Sequence, residues 1–168
     1  MKQALVSRVL IALGALLVLG AVNHAIVGKE RIRRDGDVVY LQLEPVDPRS
    51  LIQGDYMALR FALVREIERR DGDAKTDRAA REGEVALAPV TLDERRVASL
   101  AASDATTTAL KLRYRIRGGQ VWLGTNAFFF EEGSAERFNG ARYGEFRVDR
   151  DSGEAVLVGL RNDKLEAM

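Results

Sequence analysis

Apolar and polar positions change their period along the chain, and this change marks two parts. From Val9 to Val27 nearly every residue is apolar, and only Asn23 and His24 interrupt the run near its end. A helix of this length spans about 28 Å at about 1.5 Å per residue, close to the ~30 Å hydrocarbon core of a bilayer. The pattern predicts a transmembrane helix within residues 1–28.

The residues around the end of this apolar segment indicate whether a signal peptidase would remove it from the mature protein. Its cleanest apolar stretch, Val9 to Val22, has the length of a signal peptide. The residues that follow, Asn23-His24-Ala25, are a poor match to the small residues of a cleavage site. We therefore expect an uncleaved signal anchor, and the alternatives are a cleaved signal peptide or a buried core helix.

Beyond Gly28 the dominant period is two, which is typical of half-buried strands. The clearest strand is predicted within residues 106–117, where apolar and basic residues alternate strictly. Its apolar positions are Leu110, Leu112, Tyr114 and Ile116, and its basic positions are Lys111, Arg113, Arg115 and Arg117. Gly118-Gly119 then predicts a two-residue hairpin turn, with a return strand over residues 120–125.

Weaker patterns complete the predicted domain, residues 29–168. Further strands are predicted at 38–43, 55–61, 84–90 (around Val85, Leu87 and Pro89), 128–130, 144–149 and 155–160. Helical spacing predicts a helix at 91–102 and one turn at 134–140, while the charged residues 65–84 indicate a solvated loop or a frayed helix. The fold class is therefore mainly β: an N-terminal transmembrane helix followed by one antiparallel β barrel or sandwich domain with one or two short helices.

The densest local signal is the loop that precedes the strand at Tyr56. Asp47-Pro48 opens a turn, because Pro fixes its own φ and pushes the preceding residue out of the α region. Gly54 closes the loop, since glycine accepts a positive φ. The candidate binding residues of this motif loop are Asp47, Arg49, Gln53, Gly54, Asp55 and Tyr56.

Two interpretations of the motif loop stay open. In the first, Arg49 offers its planar donor fork to a ligand or partner, together with Gln53 and Asp55. In the second, Asp47 and Asp55 hold the turn by accepting hydrogen bonds from backbone N–H groups, and Arg49 is their counter-ion.

The segment Gly54-Asp55-Tyr56-Met57-Ala58-Leu59-Arg60-Phe61 resembles the signature of the bacterial GDYXXLXY family. Its last position is Phe61 rather than Tyr, which keeps the ring and loses the hydroxyl. Phe128-Phe129-Phe130-Glu131-Glu132-Gly133 is similar to the family's aromatic–Pro-Glu-Gly segment, with Glu131 where Pro is usual. The resemblance covers most of the chain. It implies a membrane-anchored extracytoplasmic protein, often encoded beside a multi-span membrane protein, and it implies no catalytic residues.

Composition narrows the classes of function. The 168 residues carry a formal net charge of +1, which argues against a nucleic-acid partner. The absence of Cys excludes disulfides, thiolate zinc sites and thiol catalysis. The only His is His24 in the apolar run, so His-based catalysis in the β domain is excluded as well. We expect no cofactor and no metal.

Flanking charge and the family resemblance disagree about orientation. The basic residues Lys29, Arg31, Arg33 and Arg34 follow the apolar run, and only Lys2 and Arg8 precede it. The positive-inside rule taken alone therefore mildly favours a cytoplasmic domain. We follow the resemblance instead. We expect a single-pass protein of the inner (cytoplasmic) membrane whose soluble domain faces the periplasm or cell exterior.

The favoured function is a membrane-tethered interaction or accessory module. Its partners would be inner-membrane lipid, through the N-terminal helix, and a multi-span membrane protein. The alternative is an envelope hydrolase, since residues 51–56 have a passing likeness to type I signal peptidases. Their Ser nucleophile would fall at Val46, and Ser50 is off that register.

Two surface features also have two interpretations each. In the first interpretation, the basic positions of residues 111–117 contact an anionic lipid surface. In the second, they form a solvated face that carboxylates across the sheet neutralise. For Trp122 and the run Phe128–Phe130, the first interpretation is docking on a membrane or partner. The second is that these residues belong to the core. For both features the second interpretation is the favoured one.

Overall fold

The computed structural model describes residues 2–44, 52–53, 56–70, 81–102 and 110–168 of the chain. Its helices are α1 (Lys2–Asp35), α2 (Ala62–Arg70) and a 3₁₀-helix (Ala135–Phe138). Its strands are β1 (Asp37–Gln42), β2 (Ile52–Gln53), β3 (Tyr56–Ala58), β4 (Val85–Leu92), β5 (Ala98–Leu100), β6 (Leu110–Arg117), β7 (Gln120–Trp122), β8 (Ala127–Phe129), β9 (Tyr143–Val148) and β10 (Ala155–Arg161). The predicted mainly β fold behind a long apolar helix is confirmed.

The strands form three antiparallel sheets, ordered β1-β9-β10, β2-β3-β8 and β5-β4-β6-β7. The first and third sheets are joined at two places. Tyr40 forms a parallel bridge with Val97, and the Arg113 amide donates to the carbonyl of Gly153 at 2.7 Å. These two sheets therefore curve around a shared interior as part of a barrel, with the β2-β3-β8 sheet beside it.

The core is built from the inward faces of all three sheets and from α2. Its largest fully buried side chains are Phe61, Phe146, Leu41, Ile67, Leu112, Ile116, Leu123 and Leu160. The alternation predicted for β6 is confirmed, because Leu112, Tyr114 and Ile116 are buried while Lys111 is exposed. The predicted turn at Gly118-Gly119 is also confirmed: both residues have positive φ, as a type I′ hairpin requires.

Helix α1 runs past the apolar segment, through Gly28, to Asp35. The part from Ser7 onward is long and apolar enough to cross a membrane, a test that a signal sequence also passes. The helix ends where the Gly36 amide donates to the Ile32 carbonyl at 2.9 Å, and β1 begins at the next residue. Since Ile32 is buried in the domain, α1 joins the β sheets without an intervening linker.

The prediction of a helix at residues 91–102 is wrong. These residues form the end of β4, a tight turn and β5. Asp93 resembles a helix N-cap, but its side chain accepts from the amide of Val97 at 2.8 Å and so closes the turn. Arg96 has a φ of 64°, which a helix does not allow. Leu92, Val97 and Leu100 have helical spacing in the sequence although they lie on a hairpin.

The strand predicted at residues 84–90 is present as β4, but its apolar phase is inverted. Val85 and Leu87 are exposed, whereas Ala88 and Val90 are buried. Strand β4 is an edge strand over only part of its length, because β5 pairs with its end from Val90 onward. The sequence pattern placed Val85 and Leu87 inward, whereas the structure places Ala88 and Val90 inward.

The charged region predicted as a loop or frayed helix begins with an ordered helix. Helix α2 covers residues 62–70 and buries Leu63 and Ile67, which are four residues apart on one face. Residues 71–80 of this region lie outside the described residues. The described parts of the chain also contain ten strands rather than the eight predicted from the sequence, because several strands have only two or three residues.

Candidate functional site

The family signature lies on β3 and the residues directly after it. Met57, Leu59 and Phe61 are each at most 4% exposed, and their spacing of two residues places them on one face of the extended chain. The Phe61 ring meets the ring of Phe146 edge to face. The apolar half of the signature is therefore part of the core.

The other face of β3 presents Tyr56, which lies directly opposite Phe129 on the neighbouring strand β8. The two ring centroids are 5.8 Å apart, and Tyr56 is half-buried. Strand β8 is at one edge of its sheet in the described part of the chain. The exposed side of the signature thus carries an aromatic pair, which we call the aromatic edge (Tyr56 and Phe129).

The prediction that Phe128–Phe130 form a buried run is wrong for the middle residue. Phe129 is 74% exposed, whereas Phe128 and Phe130 are half-buried and pack against Phe138 with centroid distances of 5.2 Å and 5.3 Å. The physical reason is the strand period, since consecutive residues of β8 must point to opposite faces. An apolar run of three residues cannot bury all of them on a sheet with one covered face.

Most of the predicted motif loop cannot be placed. Asp47, Arg49, Gly54 and Asp55 lie outside the described residues. The backbone of Gln53 pairs with Tyr56 in the β2-β3 ladder, but the structure does not describe the side chain of Gln53. The proposed convergence of these side chains therefore stays a prediction.

A cleft of about 380 Å³ lies beside the signature strand, between β3 and α2. It is lined by charges of both signs, which include Glu44, Arg60 and Arg65. The Arg65 Nε atom lies 2.8 Å from the Glu44 Oε1 atom, and Glu68 accepts a hydrogen bond from the amide of Val121. This mixed lining suits polar contacts with a partner chain rather than an apolar ligand.

A buried group of charges lies elsewhere, on the β9-β10 pair. Glu145 is only 4% exposed, and its Oε2 atom accepts a hydrogen bond from Arg161 Nε at 2.5 Å. Arg147 approaches the other carboxylate oxygen at 3.7 Å. The burial and the pairing indicate a structural role, because a buried carboxylate without a partner is strongly unfavourable.

The basic positions of β6 form a second surface, which we call the basic face (Lys111, Arg113, Arg115 and Arg117). The carboxylates expected across the sheet are absent in the described residues. Opposite the basic positions on β4 lie Val85, Leu87 and Pro89 instead. Within the described ranges, Arg113 alone of the four forms an ion pair, with Glu154 at 2.9 Å. Trp122, predicted as core, is half-buried on this outer face opposite Arg115.

The structure shows no metal centre in the parts it describes. Among those residues, no three His, Cys, Asp or Glu side chains lie together in a way that holds an ion. Among the described residues, the aromatic edge and the basic face are two surfaces that combine exposed side chains with aromatic or cationic chemistry. The sequence pattern identified the residues of both surfaces and the solvated basic positions, and its expectation was wrong for Phe129, which is exposed.

Comparison with known proteins assigns the chain to a family without adding a relative of known role. Searches among curated proteins and among solved structures give no match. A model of the GDYXXLXY protein family matches residues 18–160, from within α1 to the last residues of β10. This match covers most of the chain and agrees with the signature on β3. The chain belongs to the GDYXXLXY family.

Proposed function

We propose that the chain is a membrane-tethered interaction or accessory module whose β domain faces the periplasm or cell exterior. Its partner is a multi-span membrane protein of the inner membrane. Family membership and the apolar helix α1 fit a membrane-anchored protein. The direct passage from α1 into β1 supports a domain held close to the membrane surface rather than on a flexible linker.

The aromatic edge is the observation that carries this proposal. Phe129 is 74% exposed, and it lies beside Tyr56 of the family signature. Exposed aromatic residues are enriched where proteins meet, because they bury a large area at a small entropic cost. Among the described residues, strand β8 also lies at the edge of its sheet, where a partner strand can add.

A photo-crosslinking experiment tests the contact. A benzoylphenylalanine is placed at Phe129 in the full chain, and the matched control carries it at Val158, which is 40% exposed on β10. We expect an adduct with one multi-span membrane protein from position 129 only. Phe129→Ala should reduce co-purification of that protein while the chain keeps its melting temperature. Equal adducts from both positions would contradict the proposal.

A fusion experiment tests topology separately. We expect alkaline phosphatase fused after Met168 to be active, and the mature protein to retain residues 1–28. Activity of a reporter that works only in the cytoplasm would refute the outward orientation. A mature N-terminus near Ala25 would refute the tether. The hydrolase alternative depends on Ser50, which lies outside the described residues, and it stays an untested alternative.

A further inference from the structure

Glu154 connects the C-terminal part of helix α1 to the basic face. Its Oε1 atom accepts from Lys29 Nζ and also from Arg113 Nη2. Lys29 is two residues beyond Val27, the end of the apolar run, and is thus about 3 Å farther along the helix axis. With α1 in a membrane, Arg113 therefore lies at the level where the helix leaves the bilayer.

A cleft of about 230 Å³ opens at this level, between α1 and the outer face of β6 and β7. It is lined by the cations Lys29, Arg113, Arg115 and Arg117. Glu154 is the only carboxylate among the described residues that line it. The cleft therefore carries a clear excess of positive charge, although the chain as a whole is almost neutral.

Two of these cations have no ion pair within the described part of the chain. Arg115 lies between Val85 and Trp122 in the strand register, and Arg117 lies over the Trp122 ring at 5.7 Å. Both arginines are exposed, so their guanidinium groups are available to an anion from outside. Arginine binds phosphate oxygens with two parallel N–H donors, which gives such contacts both strength and orientation.

The neighbours of these cations suit a lipid surface better than a soluble anion. Val85 and Leu87 are 47% and 46% exposed beside the arginines. Trp122 is half-buried, and its indole N–H is buried without a hydrogen-bond partner among the described residues. Tryptophan is enriched at the headgroup level of membranes, and the exposed part of the Trp122 ring lies beside the cations there. Cations, exposed aliphatic residues and tryptophan therefore occur together on one side of the helix exit.

We propose that this cleft binds the phosphate headgroup of an anionic phospholipid in the membrane that holds α1. The proposal rests on the membrane tether of the proposed function. Arg115 and Arg117 contact the phosphate, while Glu154 holds Lys29 and Arg113 beside it. Each cation near an anionic surface is worth about fivefold in the binding equilibrium. Headgroup binding orients the domain, so the aromatic edge is presented at a defined height.

The single tryptophan makes the proposal directly measurable, since all indole fluorescence comes from Trp122. The full chain is reconstituted into liposomes of phosphatidylcholine, with or without phosphatidylglycerol, that contain a lipid with a spin-labelled headgroup. We expect the quenched fraction of fluorescence to be larger in the anionic liposomes. Arg115→Gln with Arg117→Gln should remove this increment, because the loss of each cation weakens binding to the anionic headgroup about fivefold.

The matched control is Arg69→Gln with Arg137→Gln, which removes two exposed arginines outside the cleft and should keep the increment. High salt on the unmodified chain gives a second readout without substitution, and about 0.5 M NaCl should reduce the increment by screening. An increment that survives the double variant or the salt would overturn the proposal. Equal quenching in neutral and anionic liposomes would overturn it too.

Failure of the tether is distinguishable from failure of the headgroup site. If the chain does not float with phosphatidylcholine liposomes after an alkaline wash, the tether itself fails. If it floats but Trp122 does not respond to phosphatidylglycerol, the tether stands and the headgroup site is refuted. If Trp122 fluorescence is quenched in native membranes that contain the spin-labelled lipid but shows no increment in phosphatidylglycerol liposomes, the basic face binds a protein partner. This result would also refute the lipid site.

Discussion

Phe61 and Phe146 meet edge to face in the core, with 5.4 Å between their ring centroids and 73° between their planes. Both side chains are at most 1% exposed. Gly144 makes room for them, since a Cβ built there would lie 3.1 Å from the Phe61 ring and 3.0 Å from the Phe146 ring. The last position of the family signature therefore ties β3 to the β1-β9-β10 sheet, and a ring without a hydroxyl suits this apolar contact.

Phe61→Ala should lower the free energy of unfolding by about 3–5 kcal/mol, because it leaves a large cavity in the core. Phe129→Ala removes the same atoms from a side chain that is 74% exposed, and it should change stability little. Denaturant unfolding of the full chain in detergent measures both. Similar losses for the two variants would contradict the assignment of Phe61 to the core and Phe129 to the surface.

Gly36→Ala should destabilise the junction of α1 and β1 by about 1–3 kcal/mol, as overpacking commonly does. A Cβ at Gly36 would lie 2.5 Å from the Ile32 carbonyl oxygen and 3.0 Å from the Val148 nitrogen, and both are backbone atoms. Gly28→Ala is the control, because a Cβ added there in mid-helix would meet nothing within 4 Å. There the substitution should be neutral or stabilising by up to about 1 kcal/mol. Thermal unfolding followed by circular dichroism compares them.

Glu145→Ala should cost about 3–5 kcal/mol, since it leaves Arg161 and Arg147 without their buried carboxylate. Glu84 is also paired with an arginine, Arg81, but on the surface, where ion pairs contribute little. Glu84→Ala should therefore leave the midpoint of denaturant unfolding nearly unchanged. If both substitutions shift the midpoint equally, the charge group on β9 and β10 does not have a buried structural role.

Asp37 should make stability depend on acid pH. Its hydrogen bond with Arg150, aided by the charges of Arg150 and Arg96 and opposed by burial, lowers the pKa of the Asp37 carboxyl from its ordinary 3.8. A lowered folded-state pKa stabilises the fold above the unfolded pKa, and this stabilisation is lost as pH falls through the folded pKa. Asp37→Asn should thus lower stability near neutral pH and progressively less below about pH 4. A stability loss that is constant with pH would contradict this assignment.

The two interpretations of the motif loop predict different results for Arg49→Ala and Asp55→Ala. If the loop is a binding surface, both should reduce crosslinking from Phe129 and cost at most about 1 kcal/mol, as for an exposed ion pair. If it is a structural turn, both should lower the melting temperature, because an unpaired buried polar group costs about 1–3 kcal/mol. The folded fraction would then keep its crosslinking yield.

Local pattern was sufficient for much of the fold. The long apolar run, the alternation of β6, the turn at Gly118-Gly119 and the burial of Phe61 follow from spacing and from the few residues that accept positive φ. These features depend on interactions between near neighbours in the chain, which the sequence displays directly. The family signature added the membership that the match over residues 18–160 shows.

Long-range pairing decided the rest. Leu92, Val97 and Leu100 fit a helical face, yet the turn at Asp93 and the ladders to neighbouring strands place them on a hairpin. The inward phase of β4 depends on β6, and the exposure of Phe129 depends on the sheet having one covered face. The cationic cleft brings together Lys29, Arg113 and Glu154 from distant parts of the chain. Local spacing thus sets where the chain alternates between faces, whereas long-range packing sets which face is covered, because burial depends on partners that lie far away in the chain.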